Sequence, residues 1–482
     1  PPSIPEGNFR ITDDLRLGEG GLVRKFNDNV AAINLLRALE RDGRRATDDE
    51  KRVLARYVGW GGLQAAFERP DGGWPKGWDK RGKQLKELLT PEEYAAAQRS
   101  TMDAHYTSEP VVRAIWRGVE RLGFKGGIAL EPSVGIGNFL GLMPEGLRGD
   151  THFLAVELDP LTGRMAKRLY PDAEVLAGVG FQDVALPLGR VRLAIGNPPF
   201  GSQSLYDPAL KHINGFSIHN QFFAKSVEAL EPGGILAMVV SRFLMDAKTQ
   251  DARRFLAERA RLLGAVRLPD SAFVENANTE VVTDIIFLQK LAEDERGTAD
   301  TSWIETTEIP DPLGGEPITI NSYFADNPQM MLGRMERSGE MRREGDVTLK
   351  PQPGRDMADD LLSAIDTLPE GVAPQDDAAG ASRAQFEAMR EAMRLDAAAK
   401  SEGSIYLGDD GGLYIVRADE GGQLEAVELG AQTPWSSSLI PDGRGGYTRR
   451  VKLKGAGETV ERYPDAGSVP ASLDRKSTRL NS

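Results

Sequence analysis

Asn197-Pro198-Pro199-Phe200 closes the apolar run Val191-Arg192-Leu193-Ala194-Ile195-Gly196, and its residue types suit one chemistry. The Asn197 side-chain oxygen and the Pro198 backbone carbonyl are two acceptors that a single planar NH₂ group can satisfy together. Neither proline has an N–H to compete, and their fixed φ angles hold the carbonyls in place. Phe200 adds a flat face for a ring to stack on. Two acceptors draw electron density onto an amine nitrogen whose lone pair is otherwise delocalised into a ring or carbonyl. That nitrogen becomes a nucleophile without a base, metal or covalent intermediate, which suits methyl transfer to an exocyclic amine. The plain alternative is a strand end closed by a Pro-Pro turn.

The elements that must position this tetrapeptide lie upstream. Ile128-Ala129-Leu130 runs into Glu131-Pro132-Ser133-Val134-Gly135-Ile136-Gly137-Asn138-Phe139-Leu140, a strand followed by a glycine turn that opens a helix. Gly135 and Gly137 let backbone approach a ligand closely. The dinucleotide fingerprint is excluded, because Leu140 stands where its third glycine is needed. A second strand over residues 151–156 ends at Glu157, and a helix is expected from Pro160 to Leu169. An acid at that strand tip can accept from two ribose hydroxyls. Asp183 ends the next segment and can receive an adenine amino group. Each acid read alone is also an ordinary solvated strand end.

Residues 101–290 resemble S-adenosylmethionine-dependent DNA N6-adenine methyltransferases that carry their cofactor motifs first. The resemblance rests on Ala104-His105-Tyr106-Thr107-Ser108 before a helix over 109–122, on the glycine turn, on the ordered acids and on the tetrapeptide. It implies a Rossmann-like α/β sheet with helices on both faces. It also implies S-adenosylmethionine bound by Tyr106, Thr107, Glu131, Pro132, Gly135, Gly137, Asn138, Glu157 and Asp183. Thr107 and Glu131 would lie at the cofactor's amino-acid end, Glu157 at its ribose and Asp183 at its adenine. Asn197, Pro198, Pro199 and Phe200 would be the catalytic set. The aromatic residue that commonly follows the adenine acid is replaced by Val184, with Phe181 nearby as a substitute.

A narrower resemblance covers about the first 335 residues. The stretch 26–67, with Ala46-Thr47-Asp48-Asp49-Glu50 and Tyr57-Val58-Gly59-Trp60-Gly61-Gly62-Leu63, looks like the leader of large phage and plasmid proteins. Those proteins join such a methyltransferase to a downstream superfamily-2 helicase. Residues 280–288, 320–324 and 331–333 resemble further segments of that family. The chain begins with Pro1, and residues 474–482 read as the translation of a sequencing adapter. The expectation is therefore a fragment, with DNA as partner and a helicase in a missing part. No Gly-x-x-x-x-Gly-Lys-Ser/Thr loop occurs in these 482 residues.

Composition narrows the chemistry. The absence of cysteine excludes disulfides, cysteine-based zinc sites and the thiolate attack used in cytosine C5 methylation. The four histidines are scattered without ligand spacing, so no metal is expected. No run approaches the eighteen apolar residues of a membrane span, no signal peptide is visible, and a cytoplasmic setting is expected. The net charge of −13 is unevenly spread: residues 1–100 carry 18 Lys+Arg against 16 Asp+Glu, and residues 101–290 carry 20 against 21. Residues 291–482 carry 21 against 35, so the acidity lies in the tail. Basic clusters at 41–45, 76–86 and 253–267 can track phosphates or form the wet faces of helices.

The resulting organisation is a helical region over 1–100, the methyltransferase core over 101–290, and an extension of it over 291–350. An acidic helical linker follows over 351–402, then a small β module over 403–455 and a disordered tail over 456–482. Trp60 is expected in the core. An antiparallel pair of strands, 264–268 and 281–288, is expected at the sheet's edge. The loop 201–215 should lie beside the site, with Tyr206, Phe216 and Phe222 as candidates to close over a base. Three alternatives to adenine N6 remain: guanine N2 in RNA, a glutamine amide in protein, and a methyltransferase fold kept only for binding DNA.

Overall fold

The structure is a computed structural model. It describes residues 7–101, 107–273, 282–337, 347–374 and 383–388, together with strand segments at 405–407, 413–418, 424–429, 440–441, 447–453 and 457–463. The chain divides into two compact units. The first comprises the residues up to 182 with 186–205 and 212–390; the second comprises 183–185, 206–211 and 391–482.

The first unit is built on one mixed sheet of seven strands. In chain order these are β1 (Gly127–Glu131), β2 (Thr151–Glu157), β3 (Glu174–Ala177), β4 (Val191–Gly196), β5 (Leu230–Ser241), β6 (Ala260–Leu268) and β7 (Thr283–Lys290). Their spatial order is β3-β2-β1-β4-β5-β7-β6. β1 pairs in parallel with β2 and β4, and β4 with β5, while β7 runs antiparallel to both of its neighbours. All five residues of β1, five of six in β4 and the last eight of β5 are buried. Continuous rather than alternating burial is what a parallel sheet covered on both faces requires. This is the Rossmann-like α/β architecture expected from the sequence, with the expected antiparallel pair of β7 and β6 at the sheet's edge.

Strand order creates the cleft. From β1 the chain winds outward through β2 and β3, then returns to lay β4 on the other side of β1. At such a reversal the connections leave in opposite directions, and a crevice opens at the carboxyl ends of the strands.

The expected N-terminal helices are present as α1 (Leu22–Arg41), α2 (Asp48–Ala55), α3 (Asp79–Leu88) and α4 (Pro91–Ser100). Thr47 and Thr90 open α2 and α4 with reciprocal capping boxes to Glu50 and Glu93. Trp60 is buried, edge-on to Phe26, Tyr57 and Phe67. This region packs on the sheet unit: Phe9 and Ile11 donate backbone N–H bonds to Leu169 and Gly141, and Arg164 pairs with Glu40 and Glu93. Helix α5 (Glu109–Arg121) buries Trp116, whose indole N–H donates to Phe139 O at 3.0 Å.

Two segments differ from the sequence reading. Within the expected linker, the helix Met357–Ile365 and the residues after it pack on α5. Arg117 grips Asp366, Gly371 and Ala373 donate to Arg121 O and Leu122 O, and Leu361, Ile365 and Leu368 are buried. The Leu361/Ile365/Leu368 spacing supplies an apolar stripe that outweighs the acidic composition. Within the expected tail, Gly457–Tyr463 is a strand. It completes an antiparallel sheet with Ile440–Pro441 and Tyr447–Leu453; Ile405–Leu407, Leu413–Ala418 and Leu424–Leu429 form another. Ladder pairing with Tyr447–Leu453 recruits residues that look like a polar tail in isolation. Adapter-like residues 474–482 lie outside the described residues. Among the described residues no helix is long and apolar enough to cross a membrane.

Candidate active site

β1 and β4 end side by side. Ala129 and Leu130 lie opposite Leu193 and Ala194, so Glu131 and Gly196 finish adjacent parallel strands. The approach is close: a Cβ at Gly196 would stand 3.3 Å from Glu131 Cγ and 3.5 Å from Pro132 Cδ. Gly196 adopts φ +150° in that space. The chain then enters Asn197-Pro198-Pro199-Phe200, of which Pro198 is buried and the other three are half-buried.

After β1 the chain reverses over Gly135 (φ +55°) and Gly137 (φ +88°), both left-handed. A side chain at Gly137 has no room, since its Cβ would fall 2.2 Å from Cε2 of Tyr170. From Gly137 the short helix α6 (Asn138–Gly141) begins, and Asn138 Nδ2 donates to Thr107 O at 3.5 Å. This contact ties the glycine turn to the segment that leads into α5. Thr107 is itself buried.

Glu157 locks the same turn from the next strand. Its Oε2 accepts from Gly135 N–H and its Oε1 from Asp159 N–H, both at 2.8 Å. Burial, aided by the charge of Asp159, pushes its carboxyl up to about 7 against those bonds. Glu131 is 2 % exposed, and burial plus the neighbouring Glu157 raise its carboxyl well above the usual range. Its Oε2, like Asn138 Oδ1, finds no hydrogen-bond partner among the described residues. Helix α7 (Pro160–Leu169) starts from Asp159, whose carboxylate caps Thr162 N–H at 3.0 Å.

The expected site residues thus fall into three groups. Thr107, Glu131, Pro132, Gly135, Gly137, Asn138 and Glu157 share the carboxyl end of β1 and β2, and Asn197 to Phe200 adjoin them at the end of β4. Tyr106 lies outside the described residues. Asp183 does not end a strand: β3 stops at Ala177, and Asp183 closes a short 3₁₀ turn, Phe181–Asp183. It is buried and falls in the second compact unit. Phe181 is also buried, its ring 4.7 Å from that of Phe222. Of the loop aromatics, Phe222 is therefore core, Phe216 packs edge-on against Phe255, and Tyr206 is exposed.

The helix expected over residues 217–229 is present; what the sequence did not show is that its polar side chains hold the loop. Helix α8 (Ile218–Ala229) buries ten of its twelve residues, including His219, Gln221 and Lys225. His219 Nδ1 meets Gly201 O at 3.0 Å, one residue after Phe200. Gln221 pairs with both polar groups of the Leu205 backbone at 2.7 Å and donates to Ile213 O at 3.2 Å. Lys225 donates to Gln182 O at 3.2 Å, with its ammonium 5.2 Å from the centre of the Phe181 ring. The available signal was the run of polar residues in an otherwise apolar helix. Tyr170, buried against the glycine turn, was likewise not foreseen; its hydroxyl has no partner among the described residues. Among the described residues no cluster of His, Asp and Glu is arranged to hold a metal.

No protein-family model matches the chain. It is similar to the defense against restriction protein B of Escherichia phage P1, 26 % identical over 269 residues. The match covers 54 % of this chain and 10 % of that protein, so the chain spans about a tenth of the length of the curated relative it matches. Among solved structures it is similar to the type I restriction-modification methyltransferase subunit from Streptococcus thermophilus, 16 % identical at a TM-score of 0.35. That superposition covers 59 % of this chain and 68 % of the other. It is also similar to the type I restriction enzyme EcoKI M protein, 16 % identical over 79 % of this chain and 93 % of the other, at a TM-score of 0.33. At such scores the superpositions add nothing to the strand order, and the strand order carries the assignment of the fold.

Proposed function

We propose that this chain transfers a methyl group from S-adenosylmethionine to the N6 amino group of adenine in DNA. The observation that carries the reading is the adjacency at the switch point. A glycine turn with the buried Glu131 and the half-buried Glu157 ends β1 and β2, and Asn-Pro-Pro-Phe ends β4 directly beside Glu131. A cofactor cradle and an amine grip need that separation of one strand and no more.

The cradle fits the cofactor. A glycine-walled turn is pinned by Glu157, and Glu131 and Asn138 each bring a buried oxygen with no partner among the described residues. Glu157 would take the ribose hydroxyls, Glu131 and Thr107 the amino-acid end, and Gly135, Gly137, Pro132 and Asn138 would wall the cleft. When bound, S-adenosylmethionine supplies an electrophilic methyl group on a sulfonium.

The chain's own part is to present the amine. An adenine is taken out of the stack at a cost of a few kcal/mol. Phe200 stacks on its ring, and its N6 hydrogens are donated to Asn197 Oδ1 and Pro198 O. These acceptors strengthen as positive charge develops on the nitrogen, which then loses a proton to solvent or a carbonyl, so positioning and electrostatics supply the rate. His219 and Gln221 hold the loop that follows, which keeps Phe200 in place. In the same reading, this domain works beside a helicase in one longer polypeptide, as the leader over residues 26–67 implies.

The test is methyl transfer from labelled S-adenosylmethionine to unmethylated DNA, RNA and protein in parallel, followed by digestion. Label is expected in N6-methyladenine from DNA. Asn197→Ala should abolish transfer and leave cofactor affinity within about twofold. Label in guanine N2 or in a glutamine amide, or equal loss of binding and transfer in the variant, overturns the assignment.

A further inference from the structure

Strand β5 runs past the end of β4, where the tetrapeptide begins. Gly196 of β4 pairs with Met238, and β5 continues to Ser241. Three further residues carry the chain roughly 10 Å beyond that level, on the side where the parallel strands end. There the chain turns through α9 (Phe243–Asp246) and exposes 54 % of Phe243. The Arg242 guanidinium lies over this ring, 4.4 Å from its centroid.

A single exposed aromatic is ordinary. The support beneath this one is not. Arg267, with no exposed surface, makes two bonds to Asp246 at 2.8 and 2.9 Å and two to Asp284 at 2.7 and 2.8 Å. Arg253, 1 % exposed, donates to the carbonyls of Leu244, Ala247 and Ile304 at 3.0, 2.8 and 2.7 Å. Asn321 donates to Met245 O from its amide and to Asp246 Oδ1 from its backbone, at 2.8 and 2.9 Å. The Arg242 backbone N–H reaches Val282 O at 3.2 Å. Residues 242 and 244–247 are thus each tied down, while the Phe243 ring between them faces water. Buried ions are costly unless fully paired, and a glycine or asparagine turn ends a strand more simply. Rigidity of this kind is what a contact residue needs to hold its aim.

From this pedestal we infer that Phe243, backed by Arg242, is a stacking platform for a nucleobase flanking the target, at the rim of the cleft beside Asn197. The inference rests on the proposed action on a nucleic-acid amine. Every base offers a face to an aromatic ring, so such a platform holds the strand without reading its sequence. A rim aromatic also occupies the space that opens when a neighbouring base leaves the stack. Phe243 is a positioning residue and touches no reacting atom.

The experiment uses the full chain and Phe243→Ala, Phe243→Leu and Phe243→Trp. Binding of a labelled adenine-containing single-stranded oligonucleotide is read by fluorescence anisotropy, and cofactor affinity by calorimetry. Phe243→Ala and Phe243→Leu are expected to weaken oligonucleotide binding about 10-fold, Phe243→Trp to match or exceed wild type, and cofactor affinity to stay constant in all. In methyl transfer, the alanine variant should raise KM for DNA and leave kcat within about threefold. Wild-type binding by Phe243→Ala overturns the platform, and wild-type binding by Phe243→Leu shows apolar packing instead of stacking and overturns it too. A wild-type chain that binds cofactor but no nucleic acid sinks the reading of the whole site. A wild-type chain that methylates DNA, with Phe243→Ala indifferent, sinks the platform alone.

Discussion

Replacing Glu157 with glutamine tests how the cofactor cradle is held, and the size of the effect follows from its contacts. The two carboxylate oxygens each accept one backbone N–H at 2.8 Å, from Gly135 and Asp159. A glutamine amide can satisfy one of these donors and presents its own NH₂ to the other. Losing one bond to a charged acceptor costs about 1.5–3 kcal/mol, or roughly 10- to 150-fold in affinity where the glycine turn loses its order. The opposing term is burial, which raises this carboxyl from 4.5 to about 7. An acid raised on folding destabilises the fold as pH climbs from its unfolded value to its folded one. The deficit then persists at higher pH, at roughly 3 kcal/mol in full. Glutamine removes it.

At pH 8 the gain and the lost bond are therefore of similar size, and thermal stability is expected to shift by no more than a few degrees. Cofactor affinity is not protected by that cancellation. In the proposed cradle ribose hydroxyls would donate to the ionised carboxylate, so wild-type affinity should rise with pH toward 7 and level off above it. The glutamine variant should bind about 10- to 150-fold more weakly at pH 8 and show no such rise. Calorimetric titration at about pH 6, 7 and 8, with a melt at each, reads both quantities. A flat wild-type profile, or a variant that binds as tightly as wild type, refutes the role given to Glu157.

Three further outcomes are expected. Gly137→Ala forces a Cβ to within 2.2 Å of Tyr170 at φ +88°, and should cost about 1–3 kcal/mol while weakening cofactor binding; melts and calorimetry should move together. Gln221→Ala removes three bonds to Leu205 and Ile213, and should raise KM for DNA without changing cofactor affinity, as read by steady-state transfer and calorimetry. Arg267→Met leaves Asp284 buried without its bidentate partner and Asp246 with only Arg242 at 3.4 Å, and should cost about 3–5 kcal/mol by urea unfolding.

Much of the site was legible because its signals are local. Gly135 and Gly137 mark a turn that needs left-handed backbone, Glu157 follows an apolar strand, and prolines at 198 and 199 end another. Asp183 was harder to place: the chain leaves β3 at Ala177, and the six residues to Asp183 carry no pattern that separates a strand end from a 3₁₀ turn. That the helix Met357–Ile365 packs rather than links was hidden by acidic composition, since the partner for its apolar stripe is α5, far away in sequence. The polar side chains of α8 gave no hint of their targets, because Gly201, Leu205 and Gln182 are set by how two loops cross one helix.

The sequence by itself determined the groups on offer: an Asn-Pro-Pro-Phe run in a chain without cysteine, and a glycine turn flanked by acids. It also determined that these sit at strand ends, because turn chemistry and apolar runs are written within a few residues of each other. Only the tertiary structure decided that Gly196 stands against Glu131, since parallel pairing joins strands about sixty residues apart and leaves no local mark. The Arg267–Asp246–Asp284 network under Phe243 belongs to the same class. Buried charges find partners through the packing of the whole sheet, and no residue type or spacing names those partners in advance.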